Sequence, residues 1–346
     1  MRRIAGAVVG AVFFAQFASA ANVGTSGLEV LSIEQGSRGI GMGGAFTSIV
    51  DDAGSLWWNP AGLARQDFSE LTLTHTVYLQ NVATNYVGFI HPVSQLNGTL
   101  GASLTYLTIP GVAGFDSSGN PTGNLAAYSY VGSVSYGTKP ISGLTLGVTA
   151  KYISQTLSSE HGTGFAADLG AQYRQDNWGL GAAILNVGPS FSMDGVSDPL
   201  PRDIRVGGFY RLWNDKIAVS FEEEKPYDQN ALAHIGAEWT VNQAIHIRGG
   251  FEQTTNAGAG AGVTAGFGYA AAFGGKASST TPRDRSGSDF EDQDALKNFF
   301  GGHLGGNNQD FVAAAKNGAY IVGIDYAFTT DGTVGDENRV SLSVRF

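Results

Sequence analysis

The chain has 346 residues, 50 of them Gly, with only 14% charged residues against 42% hydrophobic ones and a formal charge of −10. Roughly 25% charge is usual for a soluble domain, and about 7% Gly, so the composition fits neither an ordinary soluble enzyme nor, with so many apolar residues, a disordered chain. The acidic balance excludes a general nucleic-acid binder, and the absence of Cys excludes disulfides, thiolate metal sites and cysteine nucleophiles.

Arg2 and Arg3 precede the apolar run Ile4–Ala15, and Ala18-Ser19-Ala20 offers small residues for cleavage. Residues 1–20 therefore read as a secretory signal peptide removed near Ala20/Ala21. Twelve apolar residues are short for a membrane anchor. No later segment holds eighteen continuous apolar residues, so the mature chain is expected to be periplasmic, secreted or a membrane β-barrel.

Residues 21–67 come before the first strand. Gly39, Gly41 and Gly44 spell GxGxxG, but the βαβ unit that would make this a dinucleotide site is missing. Leu28–Ile33 has the composition of a short strand. Gly41, Gly43 and Gly44 allow close backbone approach, Ala45–Val50 is expected to form a short helix, and Asp51-Asp52 to turn or cap the next one, around Ala53–Trp58. Pro60 has no N–H and keeps Asn59 out of the α region, which ends that helix. So apolar a segment is expected to fold into a barrel mouth as a plug, held by Trp57, Trp58 and Asn59.

Period-two alternation starts at Phe68. Leu144, Leu146, Val148, Ala150 and Tyr152 share one face, with Thr145, Gly147, Thr149 and Lys151 on the other. Phe165, Ala167, Leu169, Ala171 and Tyr173 oppose Asp168, Gly170, Gln172 and Arg174. The last residues set Val340, Leu342, Val344 and Phe346 against Ser341, Ser343 and Arg345. This is the pattern of strands with lipid on one face and a polar lumen on the other. Tyr152, Tyr173, Tyr210, Trp239 and Tyr326 sit near strand ends, as interfacial girdles require.

About fourteen such segments are counted over residues 68–346, giving an all-β transmembrane antiparallel barrel with an N-terminal plug in its lumen. A secreted sandwich or propeller is the soluble alternative, although a polar face this rich in Gly, Ser and Thr suits a lumen better. Strand glycines are expected to make room for the plug. Gln175–Asn177, Trp213–Asp215 and Val241–Gln243 read as periplasmic turns, and Gly111–Asn124 and Gly188–Pro201 as longer extracellular loops. Residues 274–317 form a polar insertion that strand parity assigns to the periplasm, either a surface loop or two short helices around Asp292–Phe300 and Gln309–Lys316.

Nothing in the chain marks an enzyme. No GxSxG elbow or HExxH motif occurs, and no catalytic residue, metal site or cofactor is assigned. His234 with Glu238, and His246 with Arg248 and Glu252, read as lumen-lining polar residues. Lys151, Asp168, Arg174, Arg205, Arg211, Glu222, Glu238, Asp325 and Arg345 also face the lumen, where they are expected to pair across strands or with the plug. A conducting pathway would use the same composition.

The stretch GMGGAFTSIVDDAGSLWWNPAGLA resembles the N-terminal signature of the PorV/PorQ family, also called UPF0164, within the FadL-like outer-membrane proteins. The C-terminal IDYAFTTDGTVGDENRVSLSVRF is similar to that family's last hairpin and terminal aromatic. The resemblance implies a plug motif of Gly41, Met42, Gly43, Gly44, Asp51, Asp52, Trp57, Trp58, Asn59, Pro60, Ala61 and Gly62. Within it, Asn59-Pro60-Ala61 matches the hatch triplet of the fatty-acid transporters. Outer loops shorter than those of the transporters and the insertion at 274–317 set this chain apart. The implied location is the outer membrane, among lipid and lipopolysaccharide. The implied function is transport or export without chemistry: either passage of a hydrophobic small molecule, with Phe46, Leu56 and Trp57 as candidate contacts, or holding of a secreted-protein cargo. A structural barrel without a client and a barrel-borne hydrolase are the alternatives.

Overall fold

Alternation of this kind yields sixteen strands among the described residues of the computed structural model, which are 25–78, 82–115, 117–242, 244–253, 262–274, 319–330 and 337–346. The expected signal peptide and all but Gly274 of the insertion at 274–317 lie outside them.

Before the barrel come a 3-10 turn at Glu29–Leu31, helix α1 (Ser37–Gly41), helix α2 (Ser55–Trp58) and a second 3-10 turn at Pro60–Arg65. The barrel itself runs β1 (Glu70–Val77), β2 (Ala83–Val93), β3 (Gly98–Phe115), β4 (Pro121–Ile141), β5 (Leu144–Leu157), β6 (Glu160–Arg174) and β7 (Trp178–Val187). After a small hairpin of β8 (Phe191–Met193) and β9 (Val196–Asp198), it continues with β10 (Asp203–Leu212), β11 (Ile217–Pro226), β12 (Leu232–Thr240), β13 (Ile245–Glu252), β14 (Gly262–Gly274), β15 (Ala319–Thr330) and β16 (Glu337–Arg345). All but β8 and β9 join in one closed antiparallel barrel of fourteen strands, sealed by the pairing of β1 with β16. Closure leaves no edge, so backbone groups are satisfied without water.

Facing follows the dyad. Phe165 is 62% exposed on the outer wall, while Asp168, three residues on, is fully buried. Outward aromatics gather in belts: Tyr106 stacks on Tyr130 at 4.7 Å, and Tyr173 meets Trp178 at 6.0 Å nearer the chain termini. Tyr152, Tyr173, Tyr210, Trp239 and Tyr326 all face outward.

The connections after β2, β4, β6, β10, β12 and β14 share the end of the barrel where β1 starts and β16 stops, here the terminal end. The others lie at the far end, and two of them correct the expected loops. Most of Gly111–Asn124 is strand, since β3 and β4 stay paired past a bulge through Ala113↔Asn124 and Gly114↔Gly123. β2 and β5 stop pairing at Thr108 and Ala127, so this ribbon stands above its neighbours. Residues 188–201 hold the β8–β9 hairpin, and Phe191 of the hairpin and Leu200 just after it turn into the lumen.

Candidate functional site

The lumen is occupied by residues 25–67, and the seat of this plug is built from backbone contact and buried charge. The GMGG stretch lies flat on the wall. A Cβ at Gly236 or Gly250 would collide with the Met42–Gly43 backbone, and Gly43 and Gly44 themselves take φ of +62° and +76°. On the other side, a Cβ at Gly147 would strike Pro60 and one at Gly170 the side chain of Asn59. The glycine excess therefore does two jobs, with plug glycines for turning and strand glycines for contact.

Asn59 and Pro60 set the corner as expected. Asn59 is extended, and its Oδ1 accepts from Ala61 N–H at 3.1 Å while its Nδ2 donates to Thr47 O at 2.9 Å. Two local expectations fail. Ala45–Val50 forms turns, because barrel side chains take the groups a helix would use: Glu222 accepts from Thr47 N–H at 2.7 Å, and Gln172 donates to the Thr47 and Val50 carbonyls. Leu28–Ile33 is a 3-10 turn, entered through Leu28 in the left-handed region at φ 61°.

Arg38 is the plug's ionic hub. It reaches Asp51 at 2.8 Å, Asp52 at 2.7 Å and Glu238 at 2.9 Å, and Glu238 also accepts from Arg248 at 2.6 Å. Asp51 meets Arg174 at 3.0 Å and Arg211 at 3.5 Å as well. Burial alone would raise the Asp51 carboxyl; the Arg38, Arg174 and Arg211 guanidiniums reverse this and hold it well below the ordinary carboxylate range. Asp52 Oδ1 accepts from Gly54 N–H at 2.8 Å, the expected turn.

A second hub is Arg205 on β10, with Asp203 at 2.5 Å, Glu224 at 3.0 Å and Glu34 of the plug at 3.2 Å. Its guanidinium also lies 5.0 Å from the rings of Trp57 and Trp58. Burial pushes the Glu34 carboxyl up, and Arg205 only partly offsets it. His234 donates from Nδ1 to Gly43 O at 2.9 Å and sets Nε2 3.1 Å from Glu224. Lys151 pairs with Asp168 at 2.8 Å, Arg345 with Glu70 at 3.2 Å and Arg248 with Asp325, so the expected lumen charges all find partners.

Around the seated plug the two lumen walls differ. At the terminal end a cavity of about 420 Å³ is lined by both plug and barrel, including Arg38, Asp51, Glu70, Glu238, Ser341 and Arg345. At the far end, inward-facing Leu107, Val131, Ile153 and Ala166 of β3–β6 make an apolar wall, covered by Leu28, Val30 and Leu31 of the plug and by Phe191 and Leu200.

The twelve motif residues Gly41, Met42, Gly43, Gly44, Asp51, Asp52, Trp57, Trp58, Asn59, Pro60, Ala61 and Gly62 all belong to this plug. The suggested ligand trio is not brought together. Phe46 and Trp57 share one packed cluster around Trp58, Leu56 sits in another with Ala53, Leu63 and Ile90, and all three are buried. The apolar surface of the lumen instead centres on Leu28–Leu31, a run with nothing in its composition to mark it beyond a short strand. Nothing local in the sequence marks Arg38 and Glu34, whose partners on β12 and β10 are some 170 to 200 residues away. Among the described residues, no group of three or more His, Asp or Glu is placed to hold a metal ion.

The profile of the family described as Uncharacterised protein family (UPF0164) matches residues 5–175. No curated protein sequence matches the chain. Among solved structures, the Ralstonia pickettii toluene transporter TbuX aligns with a TM-score of 0.54 at 14% identity, over 90% of this chain and 97% of that one. The Pseudomonas putida toluene transporter TodX gives 0.55 at 15%, over 90% and 97%. A Pseudomonas aeruginosa FadL homologue gives 0.52 at 11%, over 90% and 98%. Identities this low speak for the fold, which is the plugged transmembrane barrel built above. Residues 5–175, from before the plug to the end of β6, thus match the UPF0164 family, and the plugged barrel shares its fold with the FadL homologue.

Proposed function

We propose that the protein sits in the outer membrane, its terminal end toward the periplasm, and passes a small hydrophobic molecule through the lumen without acting on it chemically. The observation that carries this reading is the apolar wall of Leu107, Val131, Ile153 and Ala166, which faces the lumen and is covered by the Leu28–Leu31 turn, Phe191 and Leu200. Apolar pockets with few polar contacts are what hydrophobic ligands fill. Polar lumens of simple pores have no such surface. The toluene transporters and the FadL homologue that share the fold agree with it. On this reading residues 1–20 export the chain and are removed, and lipid and lipopolysaccharide contact the outer wall.

A second reading, holding of a secreted-protein cargo, rests on the β3–β4 ribbon, which rises above its neighbours and exposes Phe115 by 64%. One experiment separates the two. A strain lacking the protein is assayed for uptake of labelled toluene and a long-chain fatty acid, and its secreted proteins are compared with the parent's. Reduced uptake with unchanged secretion is expected. Loss of secreted proteins with normal uptake would replace the first reading by the second.

A further inference from the structure

The wall built by β14, β15, β16 and β1 is mostly polar or glycine, with inward Ala319, Ile321 and Ala327 of β15 as its apolar positions. Inward residues are Thr72, Thr74 and Thr76 on β1, Ser341 and Ser343 on β16, and Gly266 and Gly268 on β14. The plug leaves space against this wall on both sides. Below is the cavity of about 420 Å³ at the terminal end, bordered by Ser37, Thr74 and Ser341. Above is one of about 230 Å³ at the far end, bordered by Glu34, Tyr78 and Arg339. Glu34 is three residues from Ser37, and Arg339 is the next inward residue of β16 after Ser341, so the two spaces nearly meet.

What separates them is hydroxyl groups. Ser37 N–H donates to Ser341 Oγ at 3.0 Å, Ser37 Oγ lies 2.9 Å from the same oxygen, and Thr74 Oγ1 lies 2.8 Å from it. Side-chain hydroxyls rotate on the fast timescale of rotamer exchange and re-pair with water at little cost. Just above, the fully buried Thr76 Oγ1, the Thr329 Oγ1 and Arg339 Nε have no partner among the described residues. Buried polar atoms are almost always hydrogen-bonded, to water where protein offers nothing.

From this we infer that the β14–β15–β16–β1 wall carries a hydrated seam past the seated plug, with Ser37, Thr74 and Ser341 as its narrowest point, permeable to water and small monovalent cations. The charge of the two spaces selects the ion. Six Asp and Glu against five Arg and Lys line the lower one, and Glu34, Glu252 and Glu337 against Arg339 line the upper, so acidic side chains outnumber basic ones in both. Hydrophobic passage along β3–β6 does not use this wall, so either route can exist without the other.

The chain has no Cys, so cysteine substitution tests the seam directly. Full-length protein carrying Ser341→Cys is placed in planar bilayers under a KCl gradient and treated with a cationic methanethiosulfonate. Ser133→Cys, facing the lumen on β4 against Ser103 at 2.6 Å, is the control. A cation-preferring reversal potential is expected in the untreated protein, with conductance through Ser341→Cys falling about fivefold on treatment and recovering with a reductant, since added bulk at a narrow polar constriction blocks it. Ser133→Cys should keep its conductance. Altered gel mobility on heating verifies that both barrels are closed. Absence of conductance, full labelling of Ser341→Cys without block, or failure of that cysteine to label would each overturn the seam. An anion-preferring reversal potential would overturn the selectivity.

Discussion

Arg38 of the plug and Glu238 of β12 meet at two points, Nε to Oε2 at 3.0 Å and Nη2 to Oε1 at 2.9 Å. This is the paired geometry in which a guanidinium binds a carboxylate most strongly. It ties the plug to the wall across 200 residues of chain, together with the pairs of Glu34 with Arg205 and Asp51 with Arg174.

Arg38→Ala should therefore unseat the plug without opening the barrel. Removing one member of a mostly buried pair costs about 3–5 kcal/mol, and here Asp51, Asp52 and Glu238 all lose a partner. Residues 27–67 should become cleavable by protease and exchange amide hydrogen quickly, while gel mobility still shifts on heating. Unchanged protection of residues 27–67 would mean that glycine packing alone holds the plug.

Gly147→Ala and Gly132→Ala should behave differently although both lie in strands. A Cβ at Gly147 collides with Pro60, whereas one at Gly132 meets nothing within 4 Å. Overpacking costs typically about 1–3 kcal/mol, so Gly147→Ala should lower the urea midpoint and Gly132→Ala should leave it in place. Equal midpoints would place the plug corner farther from β5 than described here.

Acid should spare the Asp51 contact. Its folded-state pKa lies below the unfolded value, so its stabilisation is complete above the ordinary carboxylate range and is lost only as pH falls through the depressed value. The stability difference between the wild type and Asp51→Asn, from urea unfolding in detergent, should stay flat from pH 7 to about 5 and persist near pH 4. A difference that vanished with a midpoint near 4 would show that Arg38, Arg174 and Arg211 do not act on this carboxylate.

Ile153→Asp tests the apolar wall. Ile153 is fully buried in the Leu28–Phe191 cluster, and a carboxylate there cannot be desolvated without a partner. Uptake of toluene should fall at least about tenfold, as an unpaired charge in an apolar site costs several kcal/mol, while Ser341-dependent conductance is retained. Normal uptake would remove β3–β6 from the hydrophobic route.

The barrel was legible in the chain because its two solvents leave a mark on every strand: Thr145 and Lys151 in, Leu146 and Val148 out. The corner at Asn59-Pro60 was legible for a local reason, the missing N–H of proline. Helix α1 was not, since two of its five residues are glycine, a poor helix former, and it stands only because its flanks are pinned through Ser37 to Ser341 and Arg38 to Glu238. Nor was the apolar lining, because Ile153 and Ala166 fall within alternating strands whose inward positions are otherwise polar. Only the turn at Leu28–Leu31, packed from outside those strands, distinguishes their inward apolar residues from errors in the pattern.

The joint between β1 and β16 has a consequence for the order of assembly. Ser69 and Phe346 exchange reciprocal backbone hydrogen bonds at 3.0 Å, and Glu70 and Arg345 are 275 residues apart. Contacts of such separation form late, after loop closure has been accomplished elsewhere. Ser341, which Ser37 grips, is on the last strand, and Glu238, which Arg38 grips, is on the twelfth. The N-terminal segment is first in the chain, yet several of its partners, Ser341 among them, stand on the last strands. The glycine seats on β5 and β6 that receive the Asn59–Pro60 corner precede in the chain those on β12 and β13 that receive the GMGG stretch, and Ser341 on β16 follows both, so the fully seated plug requires the complete set of strands.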